Sequence, residues 1–554
     1  MSIRFRALAA LASLVAYAGC ATTGGPKQVS HSRGQLFDHM GPYARTVSTG
    51  SAEAQRYFEQ GLTWYYAFNH DEAIRSFRRA AELDPDCAMA WWGAALSEGP
   101  NYNDPVMTEA RSAAAWDALQ EALARIDRTT PVERALIEAL EHRYANPWPQ
   151  DRASLDRAYS EAMAKVWAAW PNDPDVGTLY AESLMVQMPW KLYTLDFKPA
   201  ADTPTIVATL ERVMALAPQH PGASHLYIHA VEPSDDPYRG LVAAERLNDA
   251  VPASGHLLHM PSHIYVKTGR WNEAIVQNEK AMRSDDKYRK LSPEQGIQHM
   301  YMVHNAHMLA YAAMMCGREK EAMKAARAMW ADLPAEALES LAPYLDLWMA
   351  SVYDVQKRFG RWDAILTETA PPTCLPITTA VWRAHRAIAC AARKDIPGAE
   401  REYEAFRQAR AAVPEESVFG QDPTHRILEV SERFIAGEIA LQQGQWDRAA
   451  ELLEQAAEVE DTLSYGEPPQ WLQPVRHTLG AVYLKSGRYA DAERVYREDL
   501  AKWPGNGWSL YGLSRALEGQ GSIEEARKVK DQFERAWARA DERTTTSCKC
   551  IPTA

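Results

Sequence analysis

The sequence predicts an all-α protein, a solenoid of stacked helix pairs, and three observations carry that expectation. Ala, Glu, Arg and Leu dominate the 554 residues, in long 3.6-residue periodicities with almost no alternating β-branched runs. A chain of this length exceeds what one hydrophobic core supports, so several domains or an array are expected. Small, aromatic and proline markers also recur at a fixed period of about 34 residues.

Taken in order, the first twenty residues read as an export signal. Arg4 and Arg6 precede the apolar run from Ala7 to Ala18, which is too short to span a bilayer. Ala18-Gly19-Cys20 looks like a bacterial lipobox, making Cys20 a lipidation site, although Tyr17 departs from the usual Leu. Ala16-x-Ala18 suits an ordinary signal peptidase as well. Residues 21–50 read as a tether, polar and rich in Gly, Ser and Thr at their start. Residues 51–336 carry regular repeats, 337–429 are helical but less periodic, and 430–541 are regular again. The tail 542–554 holds Cys548-Lys-Cys550, able to close a disulfide or hold a soft metal in an oxidising compartment. The expected location is the bacterial envelope, periplasmic and lipid-anchored to the outer membrane, with no other membrane contact.

Within the regular regions the repeat markers fall in phase. A unit starting at Ala54 has Gly61, Trp64, Ala73, Phe77, Ala80 and Pro85 at positions 8, 11, 20, 24, 27 and 32. One starting at Gln473 has Gly480, Tyr483, Ala492, Tyr496 and Pro504, with Asp499 departing at position 27. From Val430 the marks are Gly437, Gly444, Ala449 and Ala456, and a turn glycine recurs as Gly269, Gly317, Gly487 and Gly521. This pattern resembles the tetratricopeptide-repeat (TPR) superfamily, which implies a superhelix of helix pairs with a concave groove. The 18 Trp and 24 Tyr are then expected mainly between helices.

The histidines are clustered: nine of sixteen fall between His220 and His307, a sixth of the chain. The register continues as units 221–254, 255–288 and 303–336. It sets His225, His229 and Glu232 at positions 5, 9 and 12 of the first, and His256, His259 and His263 at 2, 5 and 9 of the second. His304, His307 and Tyr311 take 2, 5 and 9 of the third. Spacings of three, four and seven share one helix face. The resemblance implies that these positions line the groove, where side chains of adjacent repeats meet on one ion or two. His, with Glu and without aligned thiolates, suits zinc, iron or Cu(II). Glu98 and Glu182 are further carboxylates at or near groove positions. His225-Leu-Tyr-Ile-His-Ala-Val-Glu232, Gly255-His-Leu-Leu-His-Met-Pro-Ser-His263 and His304-Asn-Ala-His307 also resemble strings shared by a group of bacterial TPR proteins, a likeness that implies no particular reaction.

A net charge of −13 and a pI near 5.7 disfavour nucleic acid as a partner. Phosphate-binding glycine loops, Gly-x-Ser-x-Gly and His-Glu-x-x-His strings are absent from the sequence. Two functions remain. One is a metalloprotein, a hydrolase or oxygenase taking a small molecule or peptide in its groove. The other is a metal-free envelope adaptor that binds a protein or peptide there.

Overall fold

The computed structural model describes residues 34–292, 295–541 and 543–551. The signal-like segment and Cys20 lie outside the described residues. Among those described, helix follows helix, and the one paired strand element is the two-residue hairpin Val418–Phe419 with Asp422–Pro423. No described helix is long and apolar enough to cross a membrane.

Local chemistry starts and stops the helices. Ser51 accepts from the Ala54 amide at the head of Ala52–Tyr66, and Asn69 accepts from Glu72 at the head of His70–Leu83. Between paired helices the chain turns through the left-handed region, supplied by Gly269, Gly317, Gly444, Gly487 and Gly521 at φ between 74° and 81°. In the first repeat the same turn position is Phe68, at φ 56°.

Glycine also lets an aromatic ring wedge between helices. Phe77 lies between Gly61 and Gly93, where an added Cβ would come 2.8 Å and 2.5 Å from its ring. Tyr496 lies between Gly480 and Gly512 in the same way, at 2.4 Å and 2.1 Å. The sixteen-residue steps on either side of each ring are one packing device used near both ends of the array.

The array curls until its C-terminal repeats meet the central ones. Trp508 donates to the Met314 carbonyl at 2.8 Å and Trp271 to the Pro504 carbonyl at 2.9 Å. Two departures from expectation follow from burial. The stretch 34–50 is no free tether: Tyr43 bonds Asp175, Arg45 pairs with Asp173 and Asp175, and Gln60 bonds the Phe37 amide. Tail residues Cys548, Cys550 and Ile551 are buried in the C-terminal core, where Ser547 bonds Tyr496 and the His477 carbonyl.

The wedge makes a direct prediction. Gly93→Ala forces a methyl group into the Phe77 ring and should cost about 1–3 kcal/mol. Phe77→Ala, which leaves a hole between three helices, should cost about 3–5 kcal/mol. Denaturant midpoints test both; a Gly93→Ala protein as stable as wild type would show that the ring has room to move.

Candidate metal centre

The central histidines come from four helical segments. His225 and His229 project from Pro221–Val231, with Glu232 as its C-cap residue. His256 and His259 stand on Gly255–His259, and His263 on Pro261–Lys267. Pro261 lacks an N–H and splits what the periodicity reads as one helix, but Met260 keeps helical angles, so the stripe survives. His304 comes from Gln298–Met315.

These six rings form two adjoining triads. His225, His229 and His256 each bring one ring nitrogen within 4.8 Å of the others, and so do His259, His263 and His304. Four of the six outer nitrogens are taken, while His256 Nδ1 and His304 Nδ1 are buried without a partner. His225 Nδ1 donates to the Tyr66 carbonyl at 2.7 Å, and His229 Nδ1 to Glu232 Oε1 at 2.9 Å. His263 Nδ1 meets Glu232 Oε2 at 2.6 Å and Glu467 Oε2 at 2.8 Å. His259 Nδ1 donates to Asn278 Oδ1 at 2.6 Å, an orientation set because the Asn278 amide group donates to the Ala274 carbonyl.

With Nδ1 as the donor, Nε2 presents its lone pair inward. His259 Nε2 and His263 Nε2 then face one another at 2.7 Å, and His225 Nε2 faces His256 Nε2 at 3.2 Å. One ring of each pair must bring a proton unless another cation lies between them: His256, whose Nδ1 has no partner, to His225, and His263, which its two carboxylates keep protonated, to His259. His229 Nε2 is buried without a partner.

Electrostatics divide the two triads. Burial, followed by repulsion from neighbouring rings, holds His225, His256, His259 and His304 well below the ordinary imidazole range. Burial also lowers His229, though Glu232 opposes it. Burial works against a proton on His263 too, but Glu232 and Glu467 outweigh it and push this ring up to about 10. Glu232 is itself held below the carboxylate range: burial is overcome by His263 and His229. Burial and then Glu232 raise Glu467 to about 8. One cationic charge is therefore already favoured where the rings of the second triad converge.

Bulky aromatics enclose the rings. Phe68 lies 4.4 Å from His225, 5.9 Å from His256 and 6.2 Å from His229, centroid to centroid. Trp190 packs 5.5 Å from His229 and Trp348 5.2 Å from His304. Phe68 and Trp190 both hold positive φ, 56° and 60°, a conformation costly for large side chains and concentrated at functional sites. A cleft of about 370 Å³ opens beside Pro233 and Gly466, the neighbours of Glu232 and Glu467. Trp190, Lys267, Trp471 and Trp503 line it.

Some residues expected in the groove set lie elsewhere. His307 joins neither triad and packs against Trp348 at 5.3 Å, burial lowering it to about 3. Tyr311 sits between Trp271 and Trp503, each 5.7 Å away. Glu98 pairs with Arg78 at 3.6 Å, and Glu182 accepts from Tyr65 at 2.5 Å. Burial raises both carboxyls to about 7. Glu232 is central, with its two oxygens engaged by Nδ1 atoms. Glu467, Asn278 and Phe68 escape the sequence reading. Only Phe68 has a signal, as the aromatic at a turn position where five other turns use glycine.

Family models for the tetratricopeptide repeat match residues 54–87, 435–464 and 483–532. No curated protein sequence matches the chain significantly. Among solved structures, human IFIT1 dimer with m7Gppp-AAAA is 14% identical over 88% of this chain and 91% of its own, at a TM-score of 0.33. The Cut9–Hcn1 hetero-tetramer of the APC/C is 12% identical over 90% and 79%, also at 0.33. Yeast Tom70 is 10% identical over 88% and 91%, at 0.25. Three stretches of the chain, residues 54–87, 435–464 and 483–532, therefore carry tetratricopeptide repeats, and helix follows helix through the described residues between them.

Proposed function

We propose that the two histidine triads hold a pair of transition-metal ions, and that the protein is a metal-dependent enzyme acting on a small molecule from the adjoining cleft. The observation that carries this reading is the 2.7 Å approach of His259 Nε2 to His263 Nε2 while both Nδ1 atoms face acceptors. A metal ion bound by both rings would take the place of the proton that His263 otherwise donates to His259 across that gap. Glu232 then acts outside the ligand set, orienting one ring in each triad and raising its basicity, as carboxylates behind metal-bound imidazoles do.

Six imidazoles with no carboxylate among them favour copper. Imidazole suits copper, zinc, iron and nickel, but paired iron and manganese sites lean on carboxylate ligands. Copper ions so held supply one-electron and dioxygen chemistry; zinc in the same triads would instead activate water for hydrolysis. The chain's own contribution is a water-poor, aromatic-walled chamber with pre-aimed ligands. The repeat fold is of a kind that binds proteins or peptides, and the metal-free adaptor is the reading left if the ions are not found. Export through the N-terminal segment, with Cys20 lipidated, puts the centre in the bacterial envelope on this reading.

Elemental analysis of protein purified without a histidine tag should find two equivalents of metal per chain, copper foremost. His229→Ala and His259→Ala should each remove one, and the double variant should melt where chelator-treated wild type melts. At a thousandfold excess of metal over Kd each ion is worth about 4 kcal/mol to the folded state. Only trace metal, with identical melting with and without chelator, would leave the adaptor.

Acidification should separate the two ions. Protons compete for a ligand only below its own pKa, and the rings of the first triad are all shifted down, so their ion should persist from pH 8 through pH 6. In the second triad, binding must displace the proton that His263 holds up to about 10. Its affinity should therefore fall about tenfold per pH unit throughout that range. Metal retained against a competing chelator, measured from pH 8 to 5, should fall in two steps of one equivalent. Simultaneous loss of both would contradict the charge difference between the triads.

A further inference from the structure

The Cys548-Lys-Cys550 tail lies far along the chain from the histidines, in the core of the C-terminal repeats, and points to separate chemistry. Glu438, on the helix Thr424–Gln442, is fully buried, and neither of its carboxyl oxygens has a hydrogen-bond partner. A buried carboxyl left without any partner is rare and calls for an unseen ligand. One of its oxygens and the sulfurs of Cys548 and Cys550 lie within 4.8 Å of one another. In the structure the two sulfurs form a disulfide.

The tail is fastened from several sides. Arg358 donates to the Ser547 carbonyl at 2.8 Å, Gln442 to the Cys550 carbonyl at 2.9 Å, and Thr478 to Cys548 Sγ at 3.3 Å. The sulfurs are thus held against Glu438 independently of the bond between them. Lys357 is buried nearby, its Nζ without a hydrogen-bond partner and 4.3 Å from the Trp471 ring. Burial pushes Glu438 up to about 8, with Lys357 opposing, so at neutral pH this carboxyl keeps its proton.

We propose that, once reduced, Cys548, Cys550 and Glu438 form a second metal site, taking one thiophilic divalent cation of the zinc class. A dithiol reductant cleaves the S–S bond, giving two electrons and two protons, and leaves as its own disulfide; each cysteine becomes a thiol. On binding, two metal–sulfur bonds and one metal–oxygen bond form, and three protons leave, one from each thiol and one from Glu438. The bound set carries one net negative charge, and Lys357, which also pairs with Asp354 at 3.9 Å, is the opposing charge that Glu438 feels. Two thiolates and a carboxylate suit zinc better than the hard cations magnesium or calcium. The site is open only in the reduced chain, so redox state selects whether the tail holds metal.

The test uses the full-length His229→Ala/His259→Ala double variant, so that the central triads do not compete, reduced without oxygen and titrated with Co2+. One equivalent should bind with intense thiolate-to-cobalt absorption in the near ultraviolet, lost on adding Zn2+. The oxidised protein should give no such band. Cys550→Ser should abolish it while circular dichroism stays unchanged, and Glu438→Gln should keep the band and weaken affinity about tenfold or more. Zn2+ should also shield both thiols from alkylation. Absence of the band in the reduced protein, or equal alkylation with and without Zn2+, overturns the proposal.

Discussion

The carboxylate of Glu232 joins two helical repeats through one buried charge. It accepts from His229 at the end of its own helix and from His263 one repeat later, at 2.9 Å and 2.6 Å. A buried carboxylate is tolerated only if paired and hydrogen-bonded, and removing one partner of such a group typically costs about 3–5 kcal/mol. That constraint fixes the rotation of both rings and the spacing of both helices. It thereby ties one ring of each triad to a common carboxylate, while Tyr66 and Asn278 orient His225 and His259.

A second constraint acts on the helices themselves. Phe77 and Tyr496 enter between stacked helices because glycine faces them from both sides, and in the repeat of Gly437 the facing side chain is Leu453. The same spacing brings neighbouring helices to the separation at which side chains of adjacent repeats share a ligand. Packing and site are consequences of one geometry. Phe68 joins them: it closes a turn where five other turns use glycine, and its ring roofs His225, His229 and His256.

The interior is unusually rich in ionisable groups that burial has driven to their neutral forms. Neutral imidazoles at one end of the molecule and a protonated Glu438 at the other follow from the same cause, desolvation. What differs is the partner set. Around His263 two carboxylates overcome desolvation and favour a cation, whereas Glu438 has only Lys357 against it and stays neutral. Buried polar groups without partners mark both places.

The helix pairs, the turn glycines and the clustering of His225, His229, His256, His259, His263 and His304 were legible in the sequence, because helical periodicity and a 34-residue repeat are local, one-dimensional properties. The same logic overreached for His307, Tyr311, Glu98 and Glu182. Equal register positions face the same side of their own repeats but not the same point in space once the superhelix rotates each pair. The division of six histidines into two triads, the use of both Glu232 oxygens by Nδ1 atoms, and the arrival of Glu467 and Asn278 were decided only by the tertiary structure. Glu467 comes from an aperiodic connection more than two hundred residues from His263. The seat of Cys548 and Cys550 against Glu438 was likewise beyond reading, since a polar tail carries no period to reveal which groove it fills. Sequence sets which residues share a helix face; the curvature of the stack sets which faces meet.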